Sequence, residues 1–116
     1  MHTVVETPSF LNAAAAAGIS EAVRREIVSA ISKDPKLGDV MVGTGGLRKF
    51  RFGRPGSGKS GGFRILSYYI SEDFPVFLIG AFAKGDKANL TANERNEIAK
   101  RLKAMTATYN KRSGKR

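Results

Sequence analysis

Lys49 and Arg51 stand two residues apart in the run Leu47-Arg48-Lys49-Phe50-Arg51-Phe52. In an extended strand this spacing puts both cations on one side and both phenylalanines on the other. Two fixed positive charges held side by side suit a phosphate. Arg64 opens the next β-rich stretch, Phe63 to Ile70, while Lys84 and Lys87 follow a third, Val76 to Ala83. Joined by a hairpin, the first two stretches concentrate Lys49, Arg51 and Arg64 in one region; which side Arg64 faces depends on strand register, which the sequence does not give. The chemistry such a cluster suits is RNA cleavage. That reaction needs a base for the 2′-hydroxyl proton, cations to neutralise the crowded phosphate and an acid for the departing 5′-oxygen. The only histidine is His2, near the N-terminal end, so no imidazole is expected at the centre. A lysine can serve as base where neighbouring cations disfavour its protonated form. For any one of these residues taken singly, a solvated surface charge is the simpler reading.

The elements that must position them follow from pattern and punctuation. Val4 and Val5 suggest a short opening strand, and Thr7-Pro8 offers a cap and a first-turn proline for a helix running through the alanines to Gly18. Ser20 caps a second helix in which Val23, Ile27, Ala30 and Ile31 recur at helical spacing, with Arg24, Arg25 and Glu26 left for solvent. Asp34-Pro35 ends it. Pro35 to Gly46 is glycine-rich and reads as a loop or weak strand. The three β-rich stretches then form an antiparallel meander, with turn residues at Ser71 to Pro75. Thr91 and Glu94 make a capping box, Leu90 can staple it, and Ile98, Leu102 and Met105 give the closing helix an apolar stripe. One strand, two helices, three strands and a helix predict an α+β domain over residues 1–109, its helices on one face of an antiparallel sheet. Residues 110–116 read as a basic, flexible tail.

Composition narrows the partners. The chain has 116 residues, within the usual span of one domain, with 20 Lys and Arg against 10 Asp and Glu, a formal charge of +10. An anionic partner is expected. A membrane fits poorly, because no apolar run approaches ~20 residues and no continuous basic amphipathic helix is visible. Without cysteine there is no disulfide, thiolate nucleophile or zinc-thiolate site, and no metal or other cofactor is expected. No secretory signal is visible at the N-terminus, which points to the cytoplasm.

One string misleads. Gly53-Arg54-Pro55-Gly56-Ser57-Gly58-Lys59-Ser60 satisfies the phosphate-binding P-loop expression letter for letter. That chemistry needs a parallel strand before the loop and a helix after it, since the phosphates sit on the helix N-terminus. Here Gly61-Gly62 and a β-rich run follow instead. A hairpin loop whose Arg54 and Lys59 touch an RNA backbone is the plainer account.

Four segments recur in order and spacing: Pro35-Lys36-Leu37-Gly38-Asp39, Gly43-Thr44-Gly45-Gly46-Leu47-Arg48-Lys49, Gly58-Lys59-Ser60-Gly61-Gly62-Phe63-Arg64 and Ala83-Lys84-Gly85-Asp86-Lys87-Ala88-Asn89-Leu90. In these the chain resembles the HigB-like branch of the RelE/ParE toxin superfamily. The resemblance implies a RelE-like microbial ribonuclease fold and a bacterial cytoplasmic toxin that cleaves messenger RNA, typically on the translating ribosome, without a metal. It also implies an antitoxin partner, usually a helix-turn-helix protein. Basic strand residues carry catalysis in that family; the matching positions are Lys49, Arg51 and Arg64, with Lys84 or Lys87 beyond the third strand. The resemblance casts Lys49 or Lys84 as base, Arg51 and Arg64 as phosphate clamps, and Arg48, Arg54 and Lys59 as further RNA contacts. Many such nucleases stack a C-terminal tyrosine on a base, whereas Tyr109 is expected past the closing helix; Phe82 or Phe63 could substitute, although both read as core. The alternative is a ParE-like, non-enzymatic toxin that binds DNA gyrase, and a third reading is a housekeeping RNA-binding module. The basic strand cluster favours the nuclease, since gyrase binding has no chemical need of it.

Overall fold

A computed structural model describes residues 2–53, 62–83 and 91–112. The elements are β1 (Val4–Glu6), α1 (Pro8–Ala16), α2 (Glu21–Lys33), β2 (Asp39–Val40), β3 (Leu47–Phe52), β4 (Phe63–Tyr68), β5 (Val76–Ala83) and α3 (Ala92–Arg112). Each helix starts where its cap demands. Thr7 Oγ1 accepts from Phe10 N at 3.1 Å, with Pro8 in the first turn of α1. Ser20 Oγ accepts from Val23 N at 3.2 Å at the head of α2. At α3 the box closes both ways, Thr91 N donating to Glu94 Oε1 at 2.9 Å and Glu94 N to Thr91 Oγ1 at 3.1 Å.

The fold is α+β, built on a five-stranded sheet in the order β1-β5-β4-β3-β2. The meander β3-β4-β5 is antiparallel as expected, but the sheet is mixed, because β1 runs parallel to β5. The chain leaves β1 through α1 and α2, and a helical crossover is what a parallel pair requires. A second difference concerns the helices, which cover both faces and not one. Phe10, Ala14, Ile27 and Ile31 of α1 and α2 pack with Phe50, Phe63, Ile65, Val76 and Leu78 in one core. On the other face Leu102 of α3, flanked by Ile98 and Met105, packs on Leu47, Leu66, Tyr68 and Phe77. The cause lies in β4 and β5, whose residues are apolar at successive and not alternate positions, so both surfaces need cover. Arg24 is drawn from solvent for a related reason: its Nη1 donates to Glu6 Oε2 at 2.8 Å, joining α2 to β1. The helix α3 continues to Arg112, past residue 109, so Tyr109 belongs to the helix and not to a tail.

The glycine-rich segment before β3 forms the short edge strand β2 and a plug beneath α3. Thr44 is fully buried; its hydroxyl donates to Met41 O at 2.7 Å and accepts from Leu47 N at 3.1 Å. Gly45 turns the plug against Ala99 of α3 with φ at +79°, a conformation that favours glycine. Further along, Tyr68 Oη and Thr106 Oγ1 lie 2.9 Å apart. Thr106 donates its own proton to Leu102 O at 3.0 Å, so the phenol donates to Thr106 and ties β4 to α3. Gly38 is the tightest position: φ is +98° and an added Cβ would fall 2.5 Å from Lys49 O. Gly38→Ala therefore forces β2 off β3. We expect it to lower folding stability by about 2 kcal/mol, read as a fall in the denaturant midpoint with an unchanged slope.

Candidate functional site

Register decides which cations meet. In the β3–β4 pair Arg51 lies opposite Arg64, Lys49 opposite Leu66 and Leu47 opposite Tyr68. Leu47, Leu66 and Tyr68 belong to the α3 core, whereas Phe50, Phe63 and Ile65 belong to the other. Strand alternation thus sets Lys49, Arg51 and Arg64 on the α3 side of the sheet, at the end away from Tyr68. Directly opposed residues have Cβ atoms about 5 Å apart, so the two arginine side chains leave the sheet from one small region. Arg51 is exposed, and Lys49 and Arg64 are half-buried. Among the described residues the ion pairs are Arg24–Glu6 and Arg25–Glu21, neither involving this trio. Like charges directly opposed across strands are unfavourable unless something anionic lies between them.

A bulge brings an aromatic ring beside these cations. Leu66 pairs with Gly80 and Ser67 with Leu78, so Ile79 is an extra residue in β5. Before the bulge Phe77 faces the α3 core; after it, Phe82 does so, opposite Arg64. The two phenylalanines open to a stacking role are thereby separated. Phe63, 2 % exposed, fills the α1–α2 core, while Phe82 lines a cleft on the cationic side. That cleft, of ≈ 560 Å³, lies between β5 and the N-terminal half of α3, with Leu66, Ile79 and Gly80 against Asn93, Glu97 and Arg101. The sequence reading passed over Asn93, Glu97 and Arg101, which carry no motif. The flip of Phe82 had a signal in Gly80, since a glycine inside a strand commonly marks a bulge.

Arg48 departs from the cluster. It alternates with Lys49 and faces the α1–α2 side, where its Nη1 donates to Lys36 O at 3.1 Å and Gly38 O at 3.2 Å. Its place in the structure is a clasp on the loop before β2. Arg54, Lys59, Lys84 and Lys87 lie outside the described residues. So does most of the P-loop-like string, but its flanks are described: β3 ends at Phe52 and β4 begins at Phe63, antiparallel to it. With β4 starting three residues after Ser60, no room is left for the helix a P-loop needs. Among the described residues no group of three or more His, Asp or Glu side chains could hold a metal ion. Nor, among them, is any helix long and apolar enough to cross a membrane.

A cationic sheet face beside a cleft, on a mixed sheet with α3 across it, is the arrangement on which comparison with known families bears. A family model described as the RelE toxin of the RelE / RelB toxin-antitoxin system matches residues 3–115. The chain belongs to the RelE toxin family. It is a toxin of a toxin-antitoxin system, and a cognate antitoxin is its partner. As a RelE-family chain it carries an opposed arginine pair that its own fold leaves uncompensated among the described residues. Removing one member should relieve repulsion: Arg51→Gln is expected to raise the melting temperature by about 2 °C at low ionic strength. The gain should vanish in molar salt, which screens the pair. Thermal unfolding at the two ionic strengths checks both.

Proposed function

We propose that this toxin is a metal-independent endoribonuclease that cuts messenger RNA on the translating ribosome and so arrests protein synthesis in the bacterial cytoplasm. The observation that carries this reading is the cross-strand placement of Arg51 against Arg64, with Lys49 one position along the same face. Two guanidiniums aimed at one spot can hold both free oxygens of a phosphodiester and stabilise the extra charge of a pentacovalent phosphorus. Lys49 or Lys84 takes the proton of the 2′-hydroxyl. The freed oxygen attacks phosphorus, the bond to the 5′-oxygen breaks, and that oxygen leaves with a proton supplied by a second group. The products are a 2′,3′-cyclic phosphate and a 5′-hydroxyl end. Lys87 adds charge beside the leaving strand, and Arg54 and Lys59 contact the RNA backbone through charge alone. Arg48 is left out of this set because its guanidinium is committed to the Lys36 and Gly38 carbonyls. The antitoxin is proposed to be a helix-turn-helix protein.

Induction of the chain in bacteria, followed by mapping of transcript 5′ ends, tests the reading. Growth arrest with discrete new 5′ ends inside open reading frames is expected. Arg64→Ala should cut about 100-fold more slowly without any fall in its melting temperature. Arrest without new ends would remove the nuclease and point to a non-nucleolytic target such as DNA gyrase. A folded Lys49→Ala/Arg51→Ala/Arg64→Ala variant that still cut at the wild-type rate would remove the site assignment.

A further inference from the structure

Beside the phosphate clamp stands one carboxylate that it does not use. Strands β2 to β5 carry Arg48, Lys49, Arg51 and Arg64 but a single acidic side chain, that of Asp39. In the β2–β3 pair Asp39 lies directly opposite Lys49, so both side chains leave the sheet on the α3 side, their Cβ atoms about 5 Å apart. β2 is the outer strand, and Lys49 is therefore the one cross-strand neighbour that Asp39 has. Asp39 is exposed and Lys49 half-buried. No ion pair closes between them in the structure; among the described residues the closed pairs are Arg24–Glu6 and Arg25–Glu21. Two features pin the position next to Asp39. Gly38 lies so near β3 that an added Cβ would meet Lys49 O at 2.5 Å, and Arg48 Nη1 donates to Gly38 O at 3.2 Å. Glu94 and Glu97 of α3 belong instead to the cleft over β5, where Glu94 accepts from Thr91 N.

We propose that Asp39 is a positioning residue that holds Lys49 as an ammonium ion beside the clamp, so that Lys49 gives a proton to the departing 5′-oxygen and does not take the one from the 2′-hydroxyl. The proposal rests on the nuclease reading and decides between the two roles open to Lys49 there. A lysine serves as base only after losing its proton, and a neighbouring carboxylate favours the charged form. As an acid the same ammonium needs no preparation, because an alkoxide leaving phosphorus is a far stronger base than an amine. The step balances. A second amine, Lys84 in the reading above, takes the 2′-hydroxyl proton; the 2′-oxygen bonds to phosphorus; the electron pair of the breaking bond stays on the 5′-oxygen, which takes a proton from Lys49 Nζ. The Lys49 amine regains its proton from water. Gly38 and the Arg48 clasp acquire a purpose here, since both keep β2 in the register that sets Asp39 against Lys49. The plainer account, a cross-strand pair on a solvated edge that stabilises the sheet and nothing more, predicts no dependence on the leaving group.

The leaving group supplies the test. Full-length protein is given programmed ribosomes whose messenger RNA carries, at the bond that is cut, either the natural 5′-oxygen or a bridging sulfur, and single-turnover rates are compared. A thiolate leaves without a proton. Lys49→Ala should therefore cut the oxygen substrate about 100-fold more slowly than wild type but the sulfur substrate within about threefold of it. Asp39→Asn and Asp39→Ser should slow the oxygen substrate about tenfold and leave the sulfur substrate unchanged, and Asp39→Glu should restore the oxygen rate. Melting temperatures confirm that each variant is folded. Equal slowing of both substrates in the Asp39 variants, or wild-type rates on both, would overturn the proposal and leave Asp39 a structural edge residue. Faster cutting of the oxygen substrate in Asp39→Asn, or a Lys49→Ala variant as slow on sulfur as on oxygen, would also overturn it and return Lys49 to the part of base. Each of those results leaves the nuclease reading standing. A wild-type chain that cut neither substrate would remove that reading and this assignment with it.

Discussion

Two guanidinium groups opposed across neighbouring strands repel, and the fold must hold them there. Here the β3–β4 register does so, setting Arg51 against Arg64 on the surface that α3 partly covers. Register is fixed by burial on the opposite surface. A slip of one residue would carry Phe50 out of the α1–α2 core and turn Lys49 and Arg51 into it. The apolar contacts of Phe50, Phe63 and Ile65 thus offset a repulsion that the cationic face could not sustain alone. Local instability of this kind is common where a site is built for a charge that arrives with its ligand.

The same sheet solves a second positioning problem with one inserted residue. Ile79 shifts the phase of β5, so Phe77 near one end and Phe82 near the other both face α3 although they stand an odd five positions apart. That shift places an aromatic ring at the cationic end and frees the space beside Gly80. The helix α3 completes the arrangement from above. Its capping box fixes where it begins, and the Thr44 plug and the Tyr68–Thr106 hydrogen bond fix how it lies.

Much of this was legible in the residues. Thr7, Ser20 and the Thr91/Glu94 pair announce the helix starts, because caps are local devices that depend on a few neighbouring atoms. Alternation in Leu47 to Phe52 separates cations from phenylalanines, and it also places Arg48 with Phe50, away from Lys49, a consequence that follows from period two alone. What stayed hidden was nonlocal. Nothing within Val4 to Glu6 states that the strand will pair parallel with β5, and the facing of Arg64 required the pairing partner itself. The burial of both sheet faces was visible in the unbroken apolar run of β5 and in the adjacent Ile65 and Leu66 of β4, but choosing which helix covers which face needed the three-dimensional connection. The bulge was signalled by Gly80 alone.

If Arg51 and Arg64 grip one phosphate, their contributions to binding cannot be independent. Affinity for a short RNA with a 2′-O-methyl group at every sugar, which cannot be cut, should be measured for the wild-type chain, Arg51→Ala, Arg64→Ala and the double variant across a range of salt. The account predicts strong non-additivity, the double variant losing little more than either single one. It also predicts a slope of affinity against salt that flattens on loss of either residue. Additive losses, with each arginine contributing its own separate salt-dependent increment, would mean that the two contact different phosphates and that no shared clamp exists.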